Sequence, residues 1–315
     1  MTQAAALAGA TMGTTWSARL NRPAGVNDAQ AQDAIQHALD AVVAQMSHWE
    51  QGSDLSRYNR AAPGWHDIPA GFGDVLGCAL ALAAGTGGAY DPTLGPLVDA
   101  WGFGPRGRAI EPPSASALQA LRERCGWQKV RLDATARRAW QPGGLSLDFS
   151  SIAKGYGVDQ AAFALDALGI PDYLVEVGGE LRSRGQRPDG LPWRVAVETP
   201  DASGSQALAI RLPDCAIATS GDYRRYIESA DGRYSHTLDP RTGRPVDNGL
   251  ASVTVVCGNG TGSCMLADAL ATALTVLGPQ DGMAYAQTHK LAALFIVRES
   301  AGHAVLVTPA FHALL

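Results

Sequence analysis

Asp268 and Thr272 are the residues whose types and spacing point most directly to chemistry, and they follow a glycine-rich stretch at 258–262. Side chains four residues apart share one face of a helix. A carboxylate and a hydroxyl suit a hard cation such as Mg²⁺, whose shell is commonly completed by water and substrate phosphate. The pair is therefore a candidate magnesium site. The alternative is that Thr272 bonds back to its own helix and Asp268 faces water.

A second candidate is the segment 148–155, where a predicted strand ends and a predicted helix begins. Asp148 and Lys154 bracket this turn, and the free backbone groups at the start of a helix can meet an anion or a metal. The alternative makes Asp148 a helix cap and Lys154 a solvated residue of the first turn.

His236 lies in a third candidate, the segment 235–243, which with the segment 220–226 is dense in residue types used in catalysis. Neither segment resembles a Walker-type phosphate loop. An imidazole has an unperturbed pKa of about 6.5, so His236 could act as a general base near neutral pH. The alternative is a histidine that satisfies a turn beside Asp239.

Apolar and aromatic residues that could cover a flat ring system occur at Met12, at Trp49 and at 89–91. An isoalloxazine or adenine ring needs such faces next to free backbone groups. The alternative is that these side chains belong to the core.

The elements that position these residues alternate between helices and strands. Hydrophobic periodicity and capping residues predict helices at 27–49, 72–84, 112–124, 155–168 and 264–277. Short β-rich runs predict strands at 145–149, 173–177, 193–198, 208–212, 215–218, 252–257, 293–298 and 304–308. This order predicts a mixed α/β (α+β) fold and not a doubly wound Rossmann sheet.

The composition is that of an ordinary globular protein: 315 residues, 46% hydrophobic and 17% charged. A net charge of -5 with scattered Lys and Arg argues against a nucleic-acid partner. No apolar run approaches the roughly 18 residues of a transmembrane helix. The five cysteines form no CxxC pair and are interpreted as buried thiols. Residues 1–13 lack the pattern of an export signal, which predicts a cytoplasmic protein as the sequence stands.

Taken together, the candidate segments resemble the ApbE family of FAD:protein FMN transferases. The resemblance runs nearly end to end through residues 11–14, 53–59, 90–98, 101–104, 148–155, 177–179, 220–226, 235–243 and 267–272. It implies one ApbE-like domain over residues 1–315, with two intimately packed lobes around an FAD cleft.

The resemblance also implies roles for individual residues. Asp268, Thr272 and the backbone carbonyl of Ser151 would hold Mg²⁺, and His236 would be the base for the acceptor hydroxyl. The residues implied to line the FAD site are Met12, Trp49, Ala89, Tyr90, Asp91, Asp148, Lys154 and Leu238. Some relatives carry a tyrosine in place of Trp49 and a second acidic residue in place of Ala271.

The predicted reaction is Mg²⁺-dependent cleavage of the FAD pyrophosphate, with transfer of FMN to a threonine or serine hydroxyl of a flavoprotein and release of AMP. The acceptor would carry a (Asp/Ser)-Gly-(Ala/Ser)-Thr-type motif. The alternatives are an Mg²⁺-dependent FAD pyrophosphatase and a non-catalytic flavin-binding protein. Relatives of this family are often exported and lipid-anchored, so the alternative location is the periplasm, at the inner membrane.

Overall fold

A computed structural model describes residues 3–107, 111–198, 208–222, 226–229, 232–300 and 302–315. The chain forms two compact units. The first contains residues 1–41, 154–223 and 248–315, and the second contains residues 42–153 and 224–247. Each unit is therefore built from segments that are distant in sequence.

The first unit is organised around a sheet of eight strands within the described residues, and every neighbouring pair in it is antiparallel. In spatial order the strands are β1 (Gln3–Thr11), β2 (Thr14–Arg22), β6 (Asp172–Val177), β7 (Glu180–Arg184), β10 (Cys215–Gly221), β15 (Leu250–Gly258), β16 (Ala292–Glu299) and β17 (Gly302–Val307). A parallel doubly wound sheet is excluded for these strands, as the sequence predicted.

One face of this sheet is covered by helices α1 (Asp28–Met46), α6 (Ala153–Ala167) and α7 (Ser263–Thr288). Alternation along β6 sends Tyr173, Val175 and Val177 to this face, where they pack with apolar residues of α1 and α6. The other face packs against the hairpin of β8 (Arg194–Val197) and β9 (Leu208–Arg211) and against α8 (Pro309–His312).

In its described residues, the second unit contains four further helices and several short strands. The helices are α2 (Asp54–Asn59), α3 (Ala70–Gly85), α4 (Gly95–Ala100) and α5 (Ala115–Arg124), with a 3₁₀ turn at Trp127–Lys129. The strands are β3 (Gly64–Asp67), β4 (Arg131–Asp133), β5 (Arg138–Gln141), β11 (Tyr226–Ser229), β12 (Gly232–Ser235), β13 (Leu238–Asp239) and β14 (Arg244–Pro245). One of its apolar clusters is formed by Leu94, Leu97, Trp101, Leu118, Cys125 and Leu238.

The predicted helices agree with the structure, and their ends follow the expected local chemistry. The Asn27 side chain accepts a hydrogen bond from the backbone N–H of Gln30, and the backbone N–H of Asn27 donates to the Gln30 side chain. This pair of bonds is a capping box at the start of α1. Ser114 caps α5 through the backbone of Ala117. In α7 the backbone turns out of helical geometry at Gly278 (φ 84°), directly before Pro279, where the sequence predicted the helix to stop.

The predicted strand at 145–149 is wrong. Leu145, Leu147 and Phe149 are buried at alternate positions, as a strand would bury them. However, the backbone hydrogen bonds of this segment are not made with another strand. The N–H and C=O of Leu147 both bond to the Asn59 side chain, and the backbone N–H of Asp148 donates to the carbonyl of Pro92. Alternating burial reports an extended chain and does not distinguish a strand from a buried loop.

Strands β1 and β2 were missed by the sequence analysis because β1 is rich in alanine, which has low β propensity. The two strands pair along nine positions and turn at Met12 and Gly13. Both turn residues have positive φ, 49° and 71°, as a two-residue type I′ turn requires. The sequence analysis also predicted no helix in the polar segment 53–59, which contains α2. There, Ser53 caps α2 by accepting from the backbone of Ser56.

Candidate functional site

Asp268 is buried on α7, with 6% of its surface exposed. Its Oδ2 accepts a hydrogen bond of 3.0 Å from the backbone N–H of Gly155, in the first turn of α6. Burial raises the pKa of Asp268, while the Lys154 charge and the Gly155 hydrogen bond oppose the rise. The alternative in which Asp268 faces water is therefore wrong.

Thr272 lies one turn further along α7 and is half-buried. Two other threonines of this helix, Thr275 and Thr288, donate to the carbonyl four residues earlier, each over 2.8 Å. Within the described part of the chain, the Thr272 hydroxyl has no such back-bond or other hydrogen bond. The hydroxyl is therefore available on the same helix face as Asp268.

Lys154, in the first turn of α6, forms an ion pair with Glu180 at the start of β7. The Lys154 side chain is 33% exposed, whereas Glu180 is 2% exposed. Burial raises the pKa of Glu180 to about 7, Lys154 opposes the rise and Asp268 adds to it. For Lys154, burial alone would lower the pKa, but attraction to Glu180 and Asp268 raises it. Lys154 is thus a paired cation and not the solvated residue of the alternative interpretation.

Gly155 allows α6 and α7 to approach closely. A Cβ at this position would lie 2.3 Å from the carbonyl oxygen of Cys264 and 2.8 Å from the Cβ of Asp268. The N–H of Gly155 is already used by Asp268, so this backbone group is not free for an anion. The glycine therefore fixes the helix face that carries Asp268.

Replacing Gly155 by alanine is expected to destabilise the protein by about 1–3 kcal/mol, because the backbone carbonyl of Cys264 cannot move away without separating the two helices. Alanine in a helix otherwise stabilises by up to roughly 1 kcal/mol over glycine. Urea unfolding of the variant and of a Gly260→Ala control, where an added Cβ meets nothing within 4 Å, tests this. An equal or higher stability of Gly155→Ala would contradict the close approach.

Asp159 connects the same two helices from a fully buried position on α6. Its carboxylate accepts from the backbone N–H groups of Cys264 and Met265 at the start of α7, and it is paired with Arg182 of β7. Arg182 also donates to the side chain of Asn259 over 3.0 Å. An anion at this end of a helix satisfies orphan N–H groups and complements the helix dipole. Asp159 therefore positions the helix that bears Asp268 and Thr272.

Met12 occupies the left-handed position of the β1–β2 turn and lies against α6. A Cβ on Gly157 would approach the Met12 methyl group to 2.8 Å, so the thioether rests directly on this glycine. A left-handed, non-glycine residue is strained, and such strain concentrates at functional sites.

In the second unit, Asp148 and His48 are neighbours. Asp148 Oδ1 accepts from the backbone of Ser150 over 2.7 Å and lies 3.6 Å from Nδ1 of His48. Asp148 therefore closes a turn before α6 and does not cap the helix itself. The adjacent Trp49 is 56% exposed and stacks at a tilt on His48, with ring centroids 5.4 Å apart, so the core alternative is wrong for this tryptophan.

Residues 90 and 91 form side-chain hydrogen bonds with other residues of the second unit. Ala89 and Tyr90 are buried, and the Tyr90 hydroxyl lies 3.0 Å from the Ser151 hydroxyl. The Asp91 carboxylate accepts from Thr93 and from the backbone of Trp127, so its side chain is committed to the turn. A role for Asp91 at a ligand would therefore use its backbone.

His236 lies between β12 and β13 and is half-buried. Its ring packs edge-on against Phe103, with centroids 6.3 Å apart. The turn beside it is closed by Asp239, whose carboxylate accepts from the backbone and the guanidinium of Arg241. Leu238 packs its side chain into the apolar cluster of the second unit, and its backbone belongs to β13, where it pairs with Pro245 of β14.

The predicted site residues fall in both units: Met12, Lys154, Asp268 and Thr272 in the first, and the others in the second. Residues 223–225 of the segment 220–226 lie outside the described residues. Sequence reasoning missed Glu180, Asp159 and His48. Two signals in the sequence could have found the first two: Glu180 comes directly after two glycines, and Asp159 lies on the apolar face of α6.

Two absences concern the residues that the structure describes. Across these ranges, no three His, Cys, Asp or Glu side chains are grouped as a metal site would group them. No helix there combines the length and the apolar character needed to cross a membrane.

Known proteins match this chain along most of its length. A model of the ApbE family matches residues 12–295. A FAD:protein FMN transferase of Vibrio cholerae is 41% identical over 304 residues, which cover 94% of this chain and 88% of the relative. The solved structure of the flavin transferase ApbE from Vibrio cholerae matches with a TM-score of 0.91 and 38% identity over 100% of both chains. The apo form of Pseudomonas stutzeri flavinyl transferase ApbE matches with a TM-score of 0.91 and 39% identity, over 99% of this chain and 97% of that one.

The chain shares the mixed helix-and-strand fold of these flavin transferase structures along nearly its whole length. It belongs to the ApbE family. The family and the fold class predicted from the sequence are both confirmed.

Proposed function

We propose that this chain is a FAD:protein FMN transferase that cleaves the FAD pyrophosphate and joins FMN to a hydroxyl of an acceptor flavoprotein. A relative from Vibrio cholerae that is 41% identical over 94% of this chain bears that name. The observation that carries the proposal is the helix face of α7, where the buried Asp268 carboxylate is oriented by Gly155 and the half-buried Thr272 lies one turn away.

The donor atoms on this helix face fit Mg²⁺. Both are oxygens, one is anionic, and a site of this kind leaves positions for water and for phosphate oxygens, as Mg²⁺ sites commonly do. Asp268 is kept from rotating by the Gly155 N–H, in the way that outer hydrogen bonds orient metal ligands. The role of the Ser151 carbonyl as a further ligand stays a prediction from the resemblance.

The reaction requires a proton transfer and a charged leaving group. His236 would accept the proton of the acceptor hydroxyl as its oxygen attacks the FMN phosphorus, while the bond between that phosphorus and the AMP oxygen breaks. Bound Mg²⁺ would supply neutralisation of the pyrophosphate charge. Lys154, the ion-pair partner of Glu180, would lie beside the phosphates.

The deciding experiment incubates the protein with FAD, Mg²⁺ and an acceptor that carries a (Asp/Ser)-Gly-(Ala/Ser)-Thr-type motif. Denaturing mass spectrometry of the acceptor is expected to show the added mass of FMN, and chromatography is expected to show AMP. Free FMN with AMP and an unlabelled acceptor would identify the pyrophosphatase instead. Bound FAD that stays intact would identify a flavin-binding protein.

Replacing His236 by alanine is expected to lower the rate of FMN transfer by about 10²–10⁴-fold, the usual contribution of a general base, with little change in FAD affinity. The rate is measured by acceptor labelling and the affinity by flavin fluorescence. The control is His312→Ala, at an exposed histidine of α8. Unchanged labelling by the His236 variant would remove this residue from the mechanism.

A further inference from the structure

Glu180 is a buried carboxylate that the transfer mechanism does not use directly. Its Oε1 is paired with Nζ of Lys154, and its Oε2 is also buried. Among the described residues, no hydrogen-bond donor reaches Oε2. A buried carboxylate with one unsatisfied oxygen is costly to the fold, so its presence calls for a reason beyond stability.

The charges around Glu180 are unbalanced. Lys154 forms an ion pair with Glu180, and the next residue of α6, Gly155, donates its backbone N–H to Asp268, so two carboxylates lie around a single ammonium group. An excess negative charge in a poorly solvated place attracts a cation and repels an anion. The FAD pyrophosphate is an anion, so this excess negative charge would repel it whenever no cation is bound.

We propose that Glu180 makes FAD binding depend on the divalent cation, by cancelling the charge of Lys154 so that the pyrophosphate is accepted only together with Mg²⁺. The inference rests on the proposed function, since it takes FAD and Mg²⁺ as the ligands. Glu180 is a positioning residue in this account: it acts through Lys154 and through the charge felt by the cation at Asp268.

Glu180→Gln tests the proposal, because glutamine keeps the shape of the side chain and removes its charge. FAD affinity is titrated by flavin fluorescence at pH 8, with excess Mg²⁺ and with EDTA. The measured quantity is the factor by which Mg²⁺ tightens FAD binding. We expect this factor to fall at least about tenfold in the variant, because loss of one nearby charge strengthens metal-free FAD binding and weakens Mg²⁺ binding.

Mg²⁺ binding without FAD, measured by calorimetry, is expected to weaken in Glu180→Gln. Glu180→Asp keeps the charge and is expected to keep the Mg²⁺ dependence of FAD binding near that of the unchanged protein. The matched control is Glu176→Gln in the neighbouring strand β6, whose carboxylate accepts from Ser17 and from the backbone of Gly179. This control is expected to leave the factor unchanged.

Equal weakening of FAD binding with and without Mg²⁺ in Glu180→Gln would overturn the proposal, because it would mean that Glu180 only holds Lys154 in place. An unchanged factor in Glu180→Gln would overturn it as well, as would loss of the Mg²⁺ dependence in Glu180→Asp. Acceptor labelling by the unchanged protein is scored separately. If the unchanged protein labels the acceptor but Glu180→Gln leaves the Mg²⁺ factor for FAD binding unchanged, only the inference about Glu180 is refuted. If Glu180→Gln changes that factor but the unchanged protein does not label the acceptor, only the transfer reaction is refuted.

Discussion

Replacing Asp268 by asparagine is expected to lower the rate of Mg²⁺-dependent FMN transfer by about 10³-fold or more, because a metal contributes several kcal/mol and each 1.4 kcal/mol is about tenfold in rate. The free energy of unfolding is expected to stay the same or to rise. Burial raises the pKa of Asp268, so its ionised form is held in the folded protein at a cost that a neutral amide does not carry.

The measurements are acceptor labelling, Mg²⁺ calorimetry and urea unfolding on the same preparation. Asp281→Asn is the matched control, since Asp281 is an exposed aspartate of the same helix. Full Mg²⁺-dependent labelling by the Asp268 variant would remove the assignment of this residue to the metal. Loss of activity together with a large loss of stability would show that Asp268 serves the fold.

Replacing Asp159 by alanine is expected to lower the free energy of unfolding by about 3–5 kcal/mol, the usual cost of removing one partner of a buried ion pair. The variant would leave Arg182 buried without its counter-ion and two N–H groups of α7 without an acceptor. Mg²⁺ binding is expected to weaken with it, because the same carboxylate fixes the start of the helix that carries Asp268.

Two further variants make this prediction specific. Asp189 is paired with Arg187 at the surface, and Asp189→Ala is expected to cost less than about 1 kcal/mol. The double replacement Asp159→Leu with Arg182→Met is expected to recover the part of the loss that comes from the unpaired Arg182 charge, since apolar residues can replace a buried ion pair. The part that comes from the two N–H groups of α7 is expected to remain. A cost for Asp159→Ala as small as that of the surface control would show that the pair does not hold α7.

The helices were predictable because their signals are local. Asn27, Ser114 and Pro279 act within one turn of their own positions, so a single sequence contains the whole argument. Strand β1 depends on pairing with β2 and on a methionine forced into a left-handed turn, and neither is visible in alanine-rich sequence. The buried loop at 145–149 was misjudged for the same reason, because its hydrogen-bond partner, Asn59, is far away in the chain.

The candidate site was predictable in part. The four-residue spacing of Asp268 and Thr272 gave their common helix face, since that follows from helix geometry alone. The partners of these residues come from other elements: Gly155 and Asp159 from α6, and Glu180 from β7. Long-range placement of this kind is set by tertiary packing, which the spacing of residues along one element does not contain.

The position of β6 beside β2 has a consequence for the nascent chain. Asn21 pairs with Asp172, about 150 residues further along. At a synthesis rate of about 5–20 residues per second, β2 waits roughly 8–30 s for this neighbour to emerge from the ribosome. Until then the edge of β2 that pairs with β6 has no partner, and Trp16 and Leu20 lack the neighbours from β6 and α6 that bury them in the folded protein. The sheet of the first unit is therefore completed only after residues 42–153 of the second unit have been made.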